Sequence, residues 1–122
     1  MSEPGSPGAV PVDLARQWRG ASGNGVLWTL DGSSELNVNL VRLDPGAEVG
    51  EHVNAEVEVV LAVLEGSGQV VVDGIAHPLG PASLAFLPRG ARRAIRAGEG
   101  SLVYLSIHRR REGLRVRAGG RR

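Results

Sequence analysis

Short segments rich in Val, Leu and Ile, separated by turn-forming residues, constrain the fold of this chain more than any other feature. Seven such segments span 25–30, 35–43, 58–65, 69–72, 83–87, 91–96 and 101–108, each bounded by Gly, Pro, Asp or Ser. Pairs such as Asp31-Gly32 and Asp73-Gly74 supply the positive φ that tight hairpins require. The spacing predicts an all-β protein, and residues 12–18 have room for at most two turns of helix.

The length of 122 residues fits one domain. We expect a flexible leader with a short helical segment over 1–20, a β domain over 21–108, and a basic tail or edge strand over 109–122. Within that tail, residues 113–117 (Gly-Leu-Arg-Val-Arg) have the pattern of a last edge strand. Residues 59–64 (Val-Val-Leu-Ala-Val-Leu) would give a strand with two apolar faces, as in the middle of a sandwich.

Composition excludes several classes of protein. The chain has no cysteine, which excludes disulfides, thiolate metal sites and cysteine nucleophiles. No apolar run approaches a membrane span, and the start lacks the pattern of a signal peptide, so we expect a cytoplasmic protein without a membrane partner. Residues 1–108 carry a net charge of −5 and residues 109–122 carry +6. Because this basic tail contains no aromatic residue, it argues against nucleic-acid binding and is more typical of a solvated end.

A polar cluster leads directly into the apolar run 59–64. His52, Asn54, Glu56 and Glu58 alternate with small or apolar residues, so an extended backbone would place all four on one face. Such a face is either a wet surface or the lining of a site, and the alternation alone leaves both open.

This cluster resembles the first motif of the small single-domain cupins, in which a glycine is followed by two histidines, a glutamate and a second glycine. Residues at the matching positions are Gly46, His52, Asn54, Glu58 and Gly66, so Asn54 stands in place of the second histidine. The second cupin motif is matched by Pro88 and Gly90, with Arg93 in place of its histidine and Gly80 or Ala82 near its leading glycine.

The resemblance implies a double-stranded β-helix, or jelly-roll barrel, with the motif residues pointing into the lumen. It also implies a homodimer, because small cupins commonly pair through their sheets. Metal-binding cupins hold iron, manganese, zinc or nickel through three histidines and one glutamate. Only His52 and Glu58 of that set are present here. Arg93 cannot ligate a cation and would repel one, so we expect either no cofactor or a weakly held divalent metal, with Asn54 or Glu56 as substitute ligands.

The same substitutions suit another kind of site. An inward-facing Arg93 beside His52 would offer donors to a carboxylate or phosphate, with Glu58 as an acceptor. On the segment 101–108, Tyr104, Ser106 and His108 share one face, which either lines the lumen or faces solvent. The predicted ligand-binding set is His52, Asn54, Glu58, Arg93, Tyr104 and His108.

Three functional hypotheses follow. The first is a protein that binds a small polar or anionic ligand in the lumen. The second is a cupin enzyme, an isomerase, epimerase, lyase or dioxygenase, with His52 as acid or base and with or without metal. The third is a scaffold that acts through its Arg-rich tail. Surface positions for His52, Glu56 and Glu58 remain the simple alternative.

Overall fold

The computed structural model of the protein describes residues 10–111. One short helix precedes nine strands: α1 (Leu14–Trp18), β1 (Gly25–Thr29), β2 (Leu36–Leu43), β3 (Glu48–Val53), β4 (Val59–Glu65), β5 (Gly68–Val72), β6 (Ile75–Leu79), β7 (Leu84–Leu87), β8 (Arg92–Ala97) and β9 (Leu102–Arg109). The predicted all-β class and the short N-terminal helix are confirmed. No helix within this part of the chain is long and apolar enough to cross a membrane.

The strands form two antiparallel sheets that pack face to face. One has five strands in the order β1-β2-β9-β4-β7, and the other has four in the order β3-β8-β5-β6. Alternate side chains of both sheets point between them and form the core, which includes Leu61, Val63, Val70, Ile95 and Leu102. The apolar strand β4 lies between β9 and β7, in agreement with its two apolar faces.

Glycine permits tight turns and close backbone contacts at specific positions. Asp73 and Gly74 join β5 to β6 with φ values of 49° and 84°, the type I′ geometry that the Asp-Gly pair predicts. At Gly66 and Gly68, a Cβ atom would overlap the backbone carbonyl oxygens of Ser101 and Arg96, respectively. These two glycines therefore let neighbouring strands approach where no side chain fits.

The structure differs from the sequence-based expectations in two strands. Strand β3 (Glu48–Val53) was not among the seven predicted segments; of the alternating stretch 52–58, only His52 and Val53 belong to it, and residues 54–58 form an irregular connection to β4. Strand β6 was not predicted because Ala76, His77 and Pro78 lack a strand pattern. Proline is tolerated there because β6 is the outer strand of its sheet. The proposed edge strand over 113–117 lies outside the described residues, as do residues 1–9 of the expected leader.

Candidate functional site

The lumen between the two sheets contains a pocket of about 160 Å³. Five of its lining residues carry polar side chains: Asn39, His52, Arg93, Tyr104 and Ser106. The other seven are aliphatic: Val26, Val41, Val49, Val59, Leu61, Leu87 and Ile95. Of the six predicted ligand-binding residues, His52, Arg93 and Tyr104 line this pocket together.

Arg93 is the most unusual residue of this pocket. It lies on β8 with only 6% of its surface exposed, and its buried Nη1 atom has no hydrogen-bond partner in the described part of the chain. Within residues 10–111, no carboxylate lies within salt-bridge distance of it. Burial lowers the pKa of Arg93, and the charge of Arg111 lowers it further. The guanidinium still carries its charge at neutral pH, so the lumen holds a cation that no carboxylate of the described residues neutralises.

His52 reaches the lumen because of a β-bulge. Val49 pairs with Ile95 and His52 pairs with Arg93, so β3 has one residue more than β8 between these two pairs. The extra residue turns His52 to the inner face of the sheet. Its exposed ring lies at the mouth of the pocket, where Nε2 accepts a hydrogen bond from Arg93 Nε at 3.3 Å. Because a guanidinium only donates, the ring proton lies on Nδ1, which donates to the carbonyl oxygen of Gly50 at 3.0 Å.

Two hydroxyl groups on β9 also line the pocket. Tyr104 and Ser106 point into the lumen, one of the two orientations that the sequence left open. Tyr104 is 3% exposed, and burial raises its pKa to about 12, although the charge of Arg93 opposes this rise. The phenol is therefore a neutral donor at physiological pH. Together with Arg93, these groups provide hydrogen-bond donors from both sheets.

Sequence reasoning missed Asn39 and the aliphatic walls. Asn39 lies on β2 opposite Ser106, and its Oδ1 accepts a hydrogen bond from the Thr29 hydroxyl at 2.7 Å. Its Nδ2 donates to Asn37 Oδ1 at 3.1 Å, so Asn39 is already engaged with its neighbours. The alternation of Asn37 and Asn39 with Val38 and Leu40 was a signal that one face of β2 is polar.

Glu58 does not join His52 and Arg93. It is exposed and lines a different surface pocket, together with Glu56, Val57, Arg89 and Arg109. The cause is the side chain of Asn54, whose Oδ1 accepts hydrogen bonds from the backbone N–H groups of Glu56 and Val57 at 3.0 and 3.2 Å. This turn buries Val57 and directs the next residue, Glu58, to solvent. The expectation that all three residues converge is therefore corrected for Glu58.

Asn54 and His108 are buried at 6% and 8% exposure, but neither lines the lumen pocket. Asn54 acts in the turn before β4, as its hydrogen bonds indicate. His108 lies near the end of β9, with Nδ1 2.8 Å from the carbonyl oxygen of Arg109. The structure thus gives both predicted ligand-binding residues positions away from the cavity. His77 is exposed, as expected.

The residues do not fit the cupin metal site. Among residues 10–111, no group of three or more His, Asp or Glu side chains is arranged to hold a metal ion. His52 and Glu58 line different pockets, and exposed Glu56 lies with Glu58. A guanidinium occupies the lumen beside His52 instead, and its charge opposes cation binding.

No family model and no curated protein matches this sequence. Several solved structures, however, are similar to it. The crystal structure of TT1209 from Thermus thermophilus is 26% identical and superposes with a TM-score of 0.72, covering 81% of this chain and 95% of its own. A Klebsiella pneumoniae protein with a double-stranded β-helix domain also has a TM-score of 0.72, at 15% identity, covering 85% of this chain and 92% of its own.

A third structure carries a family name. A sugar phosphate isomerase of the cupin superfamily from Silicibacter pomeroyi is 31% identical with a TM-score of 0.60, covering 65% of this chain and 53% of its own. This chain has the cupin fold. The double-stranded β-helix barrel that the motif spacing predicted is therefore confirmed, and the lumen pocket occupies the interior of a cupin barrel.

Proposed function

We propose that this cupin-fold protein binds a small anionic ligand in the barrel lumen, with Arg93 as its main contact. The observation that supports this proposal is the buried Nη1 atom of Arg93, which has no hydrogen-bond partner among residues 10–111. Buried polar groups in native proteins are nearly always paired, so an exception calls for a physical explanation. A bound anion would supply both the missing acceptor and the missing negative charge.

The electrostatics of the lumen support an anion rather than a neutral polyol. Arg111 is close enough for its charge to lower the pKa of Arg93, so two cations act on the same region. Among the described residues no carboxylate pairs with Arg93, and Glu58 faces solvent. Charge-assisted hydrogen bonds between a guanidinium and an oxyanion are about twice as strong as neutral ones.

The proposal can be tested by isothermal titration calorimetry with sodium acetate, using sodium chloride at the same ionic strength as the reference. We expect acetate to bind the wild-type protein, and its binding to be lost in Arg93→Met. The matched control is Arg92→Met, because Arg92 neighbours Arg93 on β8 but points outward, with 60% of its side chain exposed. Equal binding by wild type and Arg93→Met would refute the role of Arg93.

We also propose that the protein forms a homodimer through the outer face of its five-stranded sheet. The outer face of the four-stranded sheet carries ion pairs, such as Arg96 with Glu48 at 3.1 Å. The other outer face has two neighbouring rows of apolar side chains across four strands: Val38, Ile107, Val60 and Phe86 in one, and Leu40, Leu105, Ala62 and Leu84 in the other. Leu84 and Phe86 are 67% and 54% exposed. Solvated outer faces of sandwiches are normally polar, so this face is suited to being covered.

The size of the apolar face supports a second copy as the partner. Four strands about 4.8 Å apart and two rows of side chains about 6.7 Å apart give it an area of roughly 260 Å². A standard interface buries about 800 Å² per partner, with an apolar centre and a polar rim. Two copies of this face would thus supply the apolar centre of an interface, with the residues around it as the polar rim.

The dimer can be tested by size-exclusion chromatography with light scattering at micromolar concentration. We expect a dimer of the wild-type chain and a monomer of Phe86→Glu. Ile75→Glu serves as the control, since Ile75 is 62% exposed but lies on the four-stranded sheet. A monomeric wild type, or a Phe86→Glu variant that remains dimeric, would overturn the proposal.

A further inference from the structure

We infer that the ligand of the lumen is a short-chain aliphatic monocarboxylate with about six non-hydrogen atoms. This inference rests on the proposed anion-binding function and narrows it to one chemical class. Three properties of the pocket lead to it: its volume, the composition of its walls, and the number and type of its free donors.

The volume sets the size of the ligand. The pocket measures about 160 Å³, and an apolar protein cavity of about 150 Å³ binds benzene, which has six non-hydrogen atoms. A carboxylate group accounts for three atoms, which leaves room for a tail of about three carbons. Butyrate therefore fits within the pocket, whereas an intact sugar or a nucleotide would extend past exposed His52 into solvent.

The walls favour an aliphatic tail. Seven of the twelve lining residues are Val, Leu or Ile, and they belong to both sheets. An apolar tail in contact with Val41, Val59 and Leu61 would gain about 0.8 kcal/mol for each buried CH₂ group. A ligand that is polar throughout, such as sulfate or inorganic phosphate, would leave oxygen atoms against these walls without hydrogen bonds.

The donors match two oxygen atoms. Arg93 lines the cavity and its Nη1 atom has no partner within residues 10–111, and the hydroxyls of Tyr104 and Ser106 line the same cavity. His52 and Asn39 are already engaged in hydrogen bonds within the protein. A planar carboxylate suits a guanidinium edge and a small number of additional donors. The four oxygens of a phosphate dianion would need more donors than these three groups provide.

The class can be tested by calorimetry with the linear series from acetate to hexanoate, together with inorganic phosphate and sulfate. Phosphate belongs in this set because the Silicibacter neighbour is described as a sugar phosphate isomerase. We expect affinity to rise about three- to fourfold with each added CH₂ up to butyrate, as burial of that group predicts, and to fall at hexanoate. Neutral butanol and butyramide should bind at least tenfold more weakly than butyrate.

A pocket variant makes the test specific for the cavity. Val41→Ala enlarges the lumen, so the preferred chain should lengthen by one or two carbons. The control is Val71→Ala, which makes the same chemical change on the outer face of the four-stranded sheet, where no effect on chain-length preference is expected. If the preference does not move in Val41→Ala, the tail does not lie in the lumen and the inference is wrong.

The outcomes separate the ligand class from the anion-binding function. Binding of phosphate or sulfate that needs Arg93, without a preference for butyrate, would overturn the monocarboxylate class and leave the anion-binding function standing. Absence of binding across both series would overturn the class and the function together. A peak of affinity at butyrate that is lost in Arg93→Met would support both.

Discussion

Replacing Arg93 with methionine should stabilise the ligand-free protein. Methionine retains an unbranched, flexible side chain that can fill the space of the arginine stem, while the charge and the unpaired Nη1 are removed. A buried group without a hydrogen-bond partner costs about 1–3 kcal/mol, and more when it is charged. We therefore expect the free energy of unfolding to rise by about 1–3 kcal/mol. For a domain of about this size, each kcal/mol raises Tm by roughly 4–8 °C.

The measurement is urea unfolding of wild type, Arg93→Met and Arg92→Met, all dialysed into a buffer free of carboxylates and phosphate. Arg92 is exposed and its ion pair with Glu51 is 3.9 Å long, so its replacement should change stability by less than about 0.5 kcal/mol. Addition of butyrate should then stabilise wild type but not Arg93→Met. A loss of more than about 1 kcal/mol in ligand-free Arg93→Met would refute the view that Arg93 is an unpaired cation held for a ligand.

Two further predictions concern the barrel itself. The pKa of Tyr104 is raised to about 12, whereas an unfolded tyrosine titrates near 10. The neutral phenol should therefore contribute about 2–3 kcal/mol to the free energy of unfolding below pH 10, and this contribution should be lost as the pH rises towards 12. Because Tyr104 is the sole tyrosine, the rise of absorbance at 295 nm reports its ionisation directly. A midpoint near pH 10 in the folded protein would contradict the raised pKa. The Tyr104→Phe variant should lack the loss of stability at high pH. Gly68→Ala should lower the free energy of unfolding by about 1–3 kcal/mol, because the added methyl group would overpack against β8. Gly100→Ala, where the added methyl group meets open space, is the control and should not lower it. Equal melting temperatures of the two variants would exclude the close contact at Gly68.

The sequence predicted most of the fold because hairpin chemistry and strand patterns are local. Asp73 and Gly74 adopt the turn that their residue types favour, and β4 is flanked by strands on both sides, as its two apolar faces indicate. Strand β6 was not predicted because it lies at a sheet edge, where Pro78 is tolerated and the alternation of apolar and polar residues is not required. Edge position is a tertiary property and does not appear in a short segment.

The site was predictable only in part, for a related reason. The spacing of the cupin motifs placed His52 beside Arg93, and the two side chains are in contact across β3 and β8. Their meeting depends on a bulge in β3 that simple alternation does not reveal. Another bulge, between Val26 and Trp28, turns Val26 to the lumen, so this wall residue also could not be read from the pattern.

The departures at Asn54 and Arg93 belong to one physical arrangement. Asn54 accepts hydrogen bonds from two backbone N–H groups, and the resulting turn directs Glu58 away from the lumen. A glutamate inside the barrel would pair with Arg93 and neutralise it, which would remove the site for an external anion. The asparagine therefore does more than replace a metal-binding histidine. With Glu58 outside, the Arg93 guanidinium contacts His52 but no carboxylate of residues 10–111, which is the charge balance that the proposed anion site requires.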